Sequence, residues 1–287
     1  ISYQGTILLN ELLLLYVFWA CQNAYVKPVE YCHLRKVSLK SIGLIIVAAI
    51  FLFIMADYVN ACSMIAFQNL LDDSLQAIVN KPVEALVVVA ILPAIIEEFL
   101  FRGMIYRGIA NKSNKKIAII ISALLFAFLH MNFNQMCYAF VMGLVFAIVI
   151  YLTDNLSVSI LLHMLFNAFT VIITCFEKSN AIQAILQCNI AGYTLFNPSL
   201  TDTQGKIEIS LLIIGGLIAI LSAVIAGWLI LLIAKTEKTT ETTINNKNIL
   251  KDNDNIFKNN EKWKPDLRFF AGSGVCILIA ILYEILL

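Results

Sequence analysis

Long apolar runs separated by short polar connections cover most of this chain. A helix needs roughly 20 mostly apolar residues to cross the hydrocarbon core of a bilayer. Eight runs reach or approach that length, and they predict transmembrane helices at Ile7–Tyr25, Ser41–Phe67, Glu84–Tyr106, Ile117–Met131, Gln135–Leu152, Val158–Cys175, Ile209–Ala234 and Leu267–Leu287. The pattern therefore predicts an all-α, polytopic membrane protein with about eight transmembrane helices in a bundle.

The connections between these runs differ in length, and they divide the chain into four parts. Tight links join the third run to the sixth and make neighbouring helices antiparallel, so residues 84–175 are predicted to form one compact four-helix unit. Residues 1–83 before it hold the first two helices and a basic inner loop. After it come an outer loop at 176–208 and the last two helices at 209–287, with a polar, flexible inner connection at 235–264.

Composition and charge strengthen the membrane assignment. Hydrophobic residues make up 60% of the chain and charged residues only 14%, with a mean hydropathy of +0.85, whereas a soluble domain carries about a quarter charged residues. If both termini lie outside, most of the 20 lysines and arginines fall in inner loops, which is the bias of cytosolic loops. Lys, Asn and Ile are frequent, which indicates an AT-rich bacterial genome. The expected location is therefore a bacterial plasma membrane. The bilayer is one expected partner, and nucleic acid is not expected, because no basic cluster is interleaved with aromatic residues.

The third run carries three ionisable residues inside a predicted span, where charges are costly and usually paired or functional. In a helix, Glu98 and Arg102 lie one turn apart and about 40° apart in direction, so they can form an ion pair. Glu97 points about 140° away from Arg102, so it is able to exchange a proton as a general base. Pro93, one turn earlier, predicts a kink. A purely structural ion pair is the alternative interpretation.

Two histidines and an asparagine lie in the same four-helix unit. His130 ends the fourth run four residues after Phe126, and His163 and Asn167 repeat that spacing in the sixth run, so each pair shares one face of its helix. An intramembrane histidine often makes only a hydrogen bond between helices. Here, however, two of the chain's three histidines accompany the two glutamates. The third, His33, is expected to be solvated in the basic loop.

These motifs resemble a known family. Glu97-Glu98-x-x-x-Arg102, Phe126-x-x-x-His130 and His163-x-x-x-Asn167 occur in this order on three predicted helices. Together they are similar to the CAAX protease and bacteriocin-processing (abortive-infection-like) family of intramembrane endopeptidases, and the resemblance covers roughly residues 84–175. It implies a helical bundle with a polar cavity inside the membrane, opening towards the cytosolic side, and hydrolysis of a peptide bond.

The resemblance also implies a role for each motif residue. Glu97 and His130 would hold and deprotonate the attacking water, while His163 and Asn167 would donate hydrogen bonds to the oxyanion of the tetrahedral intermediate. In a zinc-dependent version of the same reaction, Glu97, His130 and His163 would be the metal ligands. No metal is favoured, because these three residues are spread over three helices without a closely spaced pair.

The remaining pair, Glu98 and Arg102, would orient the helix and tune the site. The expected substrate is a lipidated protein or a peptide precursor at the membrane, and a peptide precursor suits a bacterial chain better. Two other classes of protein stay open: a non-catalytic scaffold or bacteriocin-immunity protein that keeps these residues as a polar network, and a carrier of small solutes or ions. The carrier is disfavoured because no internal repeat is evident.

Overall fold

The computed structural model of the chain describes residues 31–67, 80–111, 113–130, 132–201 and 205–249. Helices dominate these residues, and a two-stranded antiparallel hairpin follows the fifth long helix. In chain order the elements are α1 (Leu39–Met64), α2 (82–110), α3 (Lys115–Leu129), α4 (Phe133–Thr153), α5 (Leu156–Cys175), α6 (Asn180–Leu186), β1 (Asn189–Ile190), β2 (Tyr193–Thr194) and α7 (Ile209–Ile249).

Polar residues at the N-caps explain where five of the helices begin. In each case a side-chain oxygen accepts a hydrogen bond from a backbone N–H of the first turn, which the helix itself leaves without an acceptor. The capping residues are Ser38 for α1, Asn114 for α3, Asn132 for α4, Asn155 for α5 and Ser179 for α6. Because a capping asparagine begins each of α3, α4 and α5, these residues determine where the short connections before the three helices end.

The second helix is irregular at two places. It runs through Pro82–Ala85, a π-helical stretch Leu86–Ile91, Leu92–Glu98, a second π-helical stretch Phe99–Tyr106 and Arg107–Ala110. In the first stretch the Leu92 N–H bonds to the carbonyl of Val87, one residue further back than in an α-helix. Pro93 follows at once, so the predicted disturbance of the backbone hydrogen bonds by proline is present. Glu97 and Glu98 lie on the regular turns between the two stretches.

Among the described residues, four helices are long and apolar enough to cross a membrane by length and composition. They are Leu39–Met64, Phe133–Thr153, Leu156–Cys175 and Ile209–Thr240. Four of the eight predicted spans coincide with them. The predicted spans Glu84–Tyr106 and Ile117–Met131 correspond to the interrupted α2 and to the 15-residue α3. Those at Ile7–Tyr25 and Leu267–Leu287 lie outside the described residues, and the division of the chain into four parts stays a prediction.

The long helices pack side by side around one apolar core. Helix α1 lies against α7, α4 and α5, helix α3 forms a hairpin with α4, and α5 packs along α2. The core between them contains Leu52, Phe101, Phe146, Leu162 and Ile230, which are all buried. Helix α2 contacts both α3 and α5. The three helices that carry the sequence motifs therefore lie together.

The outward face of α7 is apolar as well. Leu217, Ile220, Leu221, Val224 and Trp228 recur at helical spacing and are each 59–65% exposed. A stripe of this kind on a soluble protein would be an aggregation hazard, whereas in a membrane lipid covers it. Together with the four long apolar helices, this stripe identifies a helical membrane protein.

The last described helix is longer than predicted. The predicted span ended at Ala234 and the predicted flexible connection began at residue 235, but α7 continues to Ile249. Lysine and glutamate favour helices, and the hydroxyls of Thr236, Thr239 and Thr240 donate to carbonyls one turn earlier instead of competing with the helix. The first half of the connection is therefore a helical extension and not a flexible segment.

Candidate active site

The predicted ion pair on α2 is present and fully buried. Arg102 Nη1 lies 2.8 Å from Glu98 Oε1, and neither side chain is exposed. Arg102 Nη2 donates to the carbonyl of Gly143 on α4 at 3.0 Å. Gly143 is required at this point, because a Cβ there would lie only 3.1 Å from the backbone of Ala123 on α3. The arginine therefore joins α2 to the place where α3 and α4 approach most closely.

Aromatic rings complete the surroundings of this arginine. The guanidinium carbon of Arg102 lies 4.3 Å from the ring centroid of Phe126 and 5.3 Å from that of Phe146. A cation over an aromatic face gains electrostatic attraction, and the gain is larger when water is excluded. The two rings therefore help to offset the cost of removing the guanidinium from water.

Two side chains of α5 also hydrogen-bond to the Glu98 carboxylate. Ser159 Oγ donates to Oε2 at 2.6 Å, and His163 Nδ1 lies 3.1 Å from Oε1. Both residues are buried, and both lie on one face of α5 because they are four residues apart. Below, Glu98, Arg102, Ser159 and His163 are called the buried cluster. Sequence reasoning missed Ser159, although its spacing from His163 and Asn167 was a usable signal.

Glu97 faces the other nitrogen of His163. Its Oε2 lies 3.8 Å from His163 Nε2, and the residue is only 6% exposed. Because Nδ1 points at the Glu98 carboxylate, the hydrogen-bond network assigns a proton to Nδ1. The two adjacent glutamates therefore contact opposite edges of one imidazole. Glu98 is held by the arginine, as the sequence predicted, and Glu97 is not part of that ion pair.

His130 reaches this region through an aromatic ring. Its Nδ1 donates to the carbonyl of Phe126 at 3.0 Å, and its ring packs edge-on against the Phe126 ring at 5.0 Å. The same Phe126 ring lies 5.6 Å from the ring of His163. Both imidazoles thus pack against the same phenylalanine. Because Nδ1 of His130 donates to the backbone, Nε2 is the nitrogen that can accept a proton.

Asn167 bonds to the backbone of α2. Its Nδ2 donates to the carbonyl of Val89 at 3.2 Å. In a regular α-helix this carbonyl would accept from the N–H of residue 93, but residue 93 is a proline and has no N–H. Asn167 therefore replaces a missing hydrogen bond next to the first π-helical stretch. One N–H of the amide remains for a further acceptor.

A second cluster of charges lies outside the predicted spans, at the end of the bundle. Asp154, in the connection between α4 and α5, bonds through Oδ2 to His33 Nδ1 at 2.6 Å and through Oδ1 to Arg107 Nη1 at 2.8 Å. Arg35 Nη2 lies 3.4 Å from Asp154 Oδ2. Below, His33, Arg35, Arg107 and Asp154 are called the end cluster. The expectation that His33 is merely solvated is therefore wrong, because the loop folds back onto the helix ends.

The surroundings of Asp154 change its acidity. Burial opposes its ionisation, but the hydrogen bonds to His33 and Arg107, with their positive charge, outweigh that effect and lower its pKa from 3.8 to about 2. Asp154 also has a positive φ of 51°, a left-handed conformation that an aspartate tolerates better than most residues. The cluster therefore stabilises an unusual turn between two long helices.

The described residues contain no set of three His, Cys, Asp or Glu side chains that converges as metal ligands would. His163 Nδ1 points to Glu98 and His130 Nδ1 points to a backbone carbonyl, so Nε2 is the nitrogen that each ring presents to a reacting group. The arrangement can hold a carboxylate and two imidazole nitrogens near a reacting group, with a fixed ion pair behind them.

Comparisons with known proteins identify what the chain is similar to. Residues 79–169 match the family model described as type II CAAX prenyl endopeptidase Rce1-like. The membrane-embedded CAAX protease MroQ of Staphylococcus aureus (strain USA300) is 34% identical over 116 residues, which are 38% of this chain and 47% of MroQ. The candidate membrane peptidase YdiL of Bacillus subtilis (strain 168) is 31% identical over 87 residues, which are 30% of this chain and 36% of YdiL.

Residues 79–169 are therefore similar to the Rce1-like CAAX prenyl endopeptidase family, which confirms the resemblance seen in the sequence. The matched range contains both glutamates and every other motif residue. The chain spans less than half the length of the two relatives named above. No solved structure matches it significantly.

Proposed function

We propose that this protein is a membrane-embedded endopeptidase that uses Glu97 to activate water and hydrolyses a peptide bond of a membrane-associated or peptide-precursor substrate. The observation that carries this proposal is the position of His163 between the two glutamates. Glu98 lies at Nδ1 and Glu97 at Nε2, so one carboxylate orients the imidazole while the other lies where a proton can be exchanged. This is the arrangement that general acid–base hydrolysis needs.

The proposed reaction begins with Glu97 taking a proton from water while the water oxygen attacks the carbonyl carbon of the substrate. The negative charge that develops on the carbonyl oxygen is stabilised by His163 Nε2–H and by an N–H of Asn167. For this role His163 carries protons on both nitrogens, with Nδ1–H directed at Glu98 and Nε2–H directed at the oxyanion. The C–N bond then breaks, and Glu97 returns its proton to the leaving amine.

His130 has the role of a second contact for the attacking water. Its Nδ1 donates to the Phe126 carbonyl, which leaves Nε2 to accept a hydrogen bond from that water. Glu98 and Arg102 do not touch the substrate in this mechanism. They hold the imidazole of His163 in a fixed position relative to helix α2.

The first experiment measures cleavage by the full chain in vesicles against a library of lipidated and unlipidated peptides. Glu97→Gln should abolish turnover and leave the thermal unfolding temperature close to that of the wild type, since only the base is lost. Glu84→Gln is a matched control, because Glu84 is an exposed carboxylate near the start of the same helix and forms a surface ion pair with Lys81. Full turnover by Glu97→Gln, or no turnover by the wild type on any peptide, would contradict the proposal. The second result favours a scaffold or immunity protein.

The proposed mechanism uses no metal, and that point has its own test. Exhaustive chelation should leave turnover unchanged, and His163→Ala should reduce it by roughly 10²–10³-fold, the scale for one oxyanion donor. Near-stoichiometric zinc that tracks activity through removal and readdition would instead assign Glu97, His130 and His163 as zinc ligands. The peptidase assignment would survive that result.

The end of the bundle that holds the end cluster is proposed to face the cytosol, with both termini on the opposite side. Arg35, Arg107, Lys115 and Lys235 lie near this end, as expected for inner loops. In a background without other accessible cysteines, a cysteine introduced at residue 113 should react only with a reagent on the cytosolic side. The exposed native Cys188 should react only from outside. The reverse pattern would refute the orientation.

A further inference from the structure

Ser159 is a buried hydroxyl that none of the sequence motifs includes. It is 0% exposed, and its Oγ lies 2.6 Å from Glu98 Oε2 and 3.4 Å from the carbonyl of Phe146. A hydroxyl has a single proton to donate. The shorter contact has the length of a charge-assisted hydrogen bond from a hydroxyl to a carboxylate, so the proton points to Glu98.

The two oxygens of Glu98 are thereby given separate partners. Oε2 accepts from Ser159, whereas Oε1 faces Arg102 Nη1 and His163 Nδ1. Rotation of a carboxylate about its last bond is soft, so one firm contact on Oε2 determines which way Oε1 points. Ser159 and His163 stand one turn apart on α5. That rigid helix therefore contacts both oxygens of one carboxylate at a fixed spacing.

We infer that Ser159 is a positioning residue, which fixes the rotation of the Glu98 carboxylate and through it keeps a proton on His163 Nδ1 and Nε2 turned towards Glu97. This inference deepens the proposed function, on which its catalytic consequence rests. Without the hydroxyl, Oε2 becomes a buried carboxylate oxygen that lacks this donor. The carboxylate is then able to rotate, and His163 loses its fixed orientation.

A matched control separates positioning from simple packing. Ser122 on α3 is also 0% exposed, and its Oγ donates to a backbone carbonyl, that of Phe101, at 2.9 Å. Ser122→Ala and Ser159→Ala therefore remove the same atom from equally buried sites, but only the second touches a carboxylate. Ser159→Ala should lower the thermal unfolding temperature somewhat more than Ser122→Ala, because it leaves a buried carboxylate oxygen without this donor.

The first readout is independent of catalysis. The chain has three histidines, so ¹⁵N-histidine NMR of the full chain in detergent resolves each ring, with His33→Gln and His130→Gln used for assignment. His163 Nδ1 should carry a proton in the wild type and in Ser122→Ala. In Ser159→Ala the signal should move towards an unprotonated Nδ1. An unchanged spectrum in Ser159→Ala, or the same change in Ser122→Ala, would overturn the inference.

The second readout is turnover of a cleaved peptide. Ser159→Ala should lower kcat by about 10- to 100-fold, the scale for loss of a residue that supports a functional histidine, with little change in KM, while Ser122→Ala should keep kcat. Ser159→Thr retains the hydroxyl and should restore most of kcat. A change confined to KM would overturn the inference. If the wild type cleaves no peptide, the proposed function fails, whereas the NMR comparison still decides whether Ser159 positions His163.

Discussion

The buried cluster and the end cluster contain the same three kinds of charged residue in opposite surroundings. Both join a histidine, a carboxylate and arginine, but Glu98 and Arg102 are fully buried, whereas the side chain of Asp154 is 50% exposed. In the interior, loss of one partner leaves an uncompensated charge away from water. At the end of the bundle, solvent reaches the half-exposed Asp154 and lowers the cost of losing a partner, although Arg107 itself is only 10% exposed. Similar contacts in the two places therefore have different energies.

The clusters also differ in what they connect. The buried cluster joins α2 to α4 and α5 at the level of the candidate active site, through atoms that each have a defined partner. The end cluster joins the loop before α1 to α2 and to the α4–α5 connection. In the proposed mechanism the first cluster orients reacting groups, whereas the second holds the ends of helices together. Substitutions in the buried cluster should therefore change both activity and stability, and those in the end cluster should change stability alone.

The largest expected difference comes from removing each carboxylate's charge. Glu98→Gln strands the Arg102 cation in the interior and should lower the free energy of unfolding by about 3–5 kcal/mol. Asp154→Asn should lower it by at most about 1 kcal/mol, because solvent screens the partly exposed cluster. Reversible unfolding in mixed detergent micelles measures both. Equal losses in the two variants would refute the contrast.

The next effect concerns the acceptor of Arg102. Gly143→Ala places a methyl group 3.1–3.2 Å from Ala123 and should destabilise the protein by about 1–3 kcal/mol through overpacking. Gly43→Ala is the control, because a Cβ at Gly43 meets nothing within 4 Å, and alanine there should be neutral or stabilise α1 by up to about 1 kcal/mol. The same unfolding assay compares them. No loss in Gly143→Ala would mean that α3 and α4 separate without disturbing the cluster.

A smaller effect is the acid dependence of the end cluster. The pKa of Asp154 is lowered to about 2 in the folded chain, against 3.8 for an ordinary aspartate. A lowered carboxyl pKa stabilises the fold above the unfolded-state value, and this contribution is lost as the pH falls through the folded-state value. The stability difference between wild type and Asp154→Asn should therefore shrink between about pH 5 and about pH 2. A difference that stays constant over that range would contradict the assignment.

The smallest expected effect is that of salt. Raising the ionic strength from about 0.1 M to about 1 M shortens the Debye length from about 10 Å to about 3 Å. The loss caused by Asp154→Asn should diminish in high salt, and the loss caused by Glu98→Gln should not, because ions do not enter the core. Parallel unfolding series at the two ionic strengths measure the difference. A salt-sensitive Glu98→Gln loss would place that pair in contact with solvent.

The sequence predicted those features that depend on local spacing. Apolar runs identified the long helices, since a span requires that composition, and the four-residue spacing predicted the Glu98–Arg102 pair seen at 2.8 Å. The spacing of His163 and Asn167 likewise predicted one shared face, and both residues contact α2. The motif order predicted the family of residues 79–169.

Other features depend on contacts between distant segments and were missed. The spacing of Ser159 places it on the face of α5 that carries His163 and Asn167, but it does not reveal which carboxylate the hydroxyl contacts. The π-helical stretches of α2 arise from backbone hydrogen bonds that reach one residue further back than in an α-helix, and residue types do not reveal such a shift. His33 contacts Asp154 because the loop before α1 folds beside the α4–α5 connection, although the two residues are 121 positions apart in the sequence. The catalytic roles assigned to Glu97, His130, His163 and Asn167 stay predictions.

The near-complete burial of the two glutamates and of His163 has a consequence for the rate of the proposed reaction. Glu97 is 6% exposed, Glu98 0% and His163 3%, so in the proposed mechanism a peptide bond reaches Glu97 in a rearranged, more open molecule. Every turnover then draws on the fraction of molecules in that open form. If about one molecule in a hundred is open, the apparent affinity for substrate is about a hundredfold weaker than that of the open form. Substitutions that loosen contacts between α2 and α5 without touching the reacting groups should then tighten apparent binding, and lipids that favour the open form should act as activators.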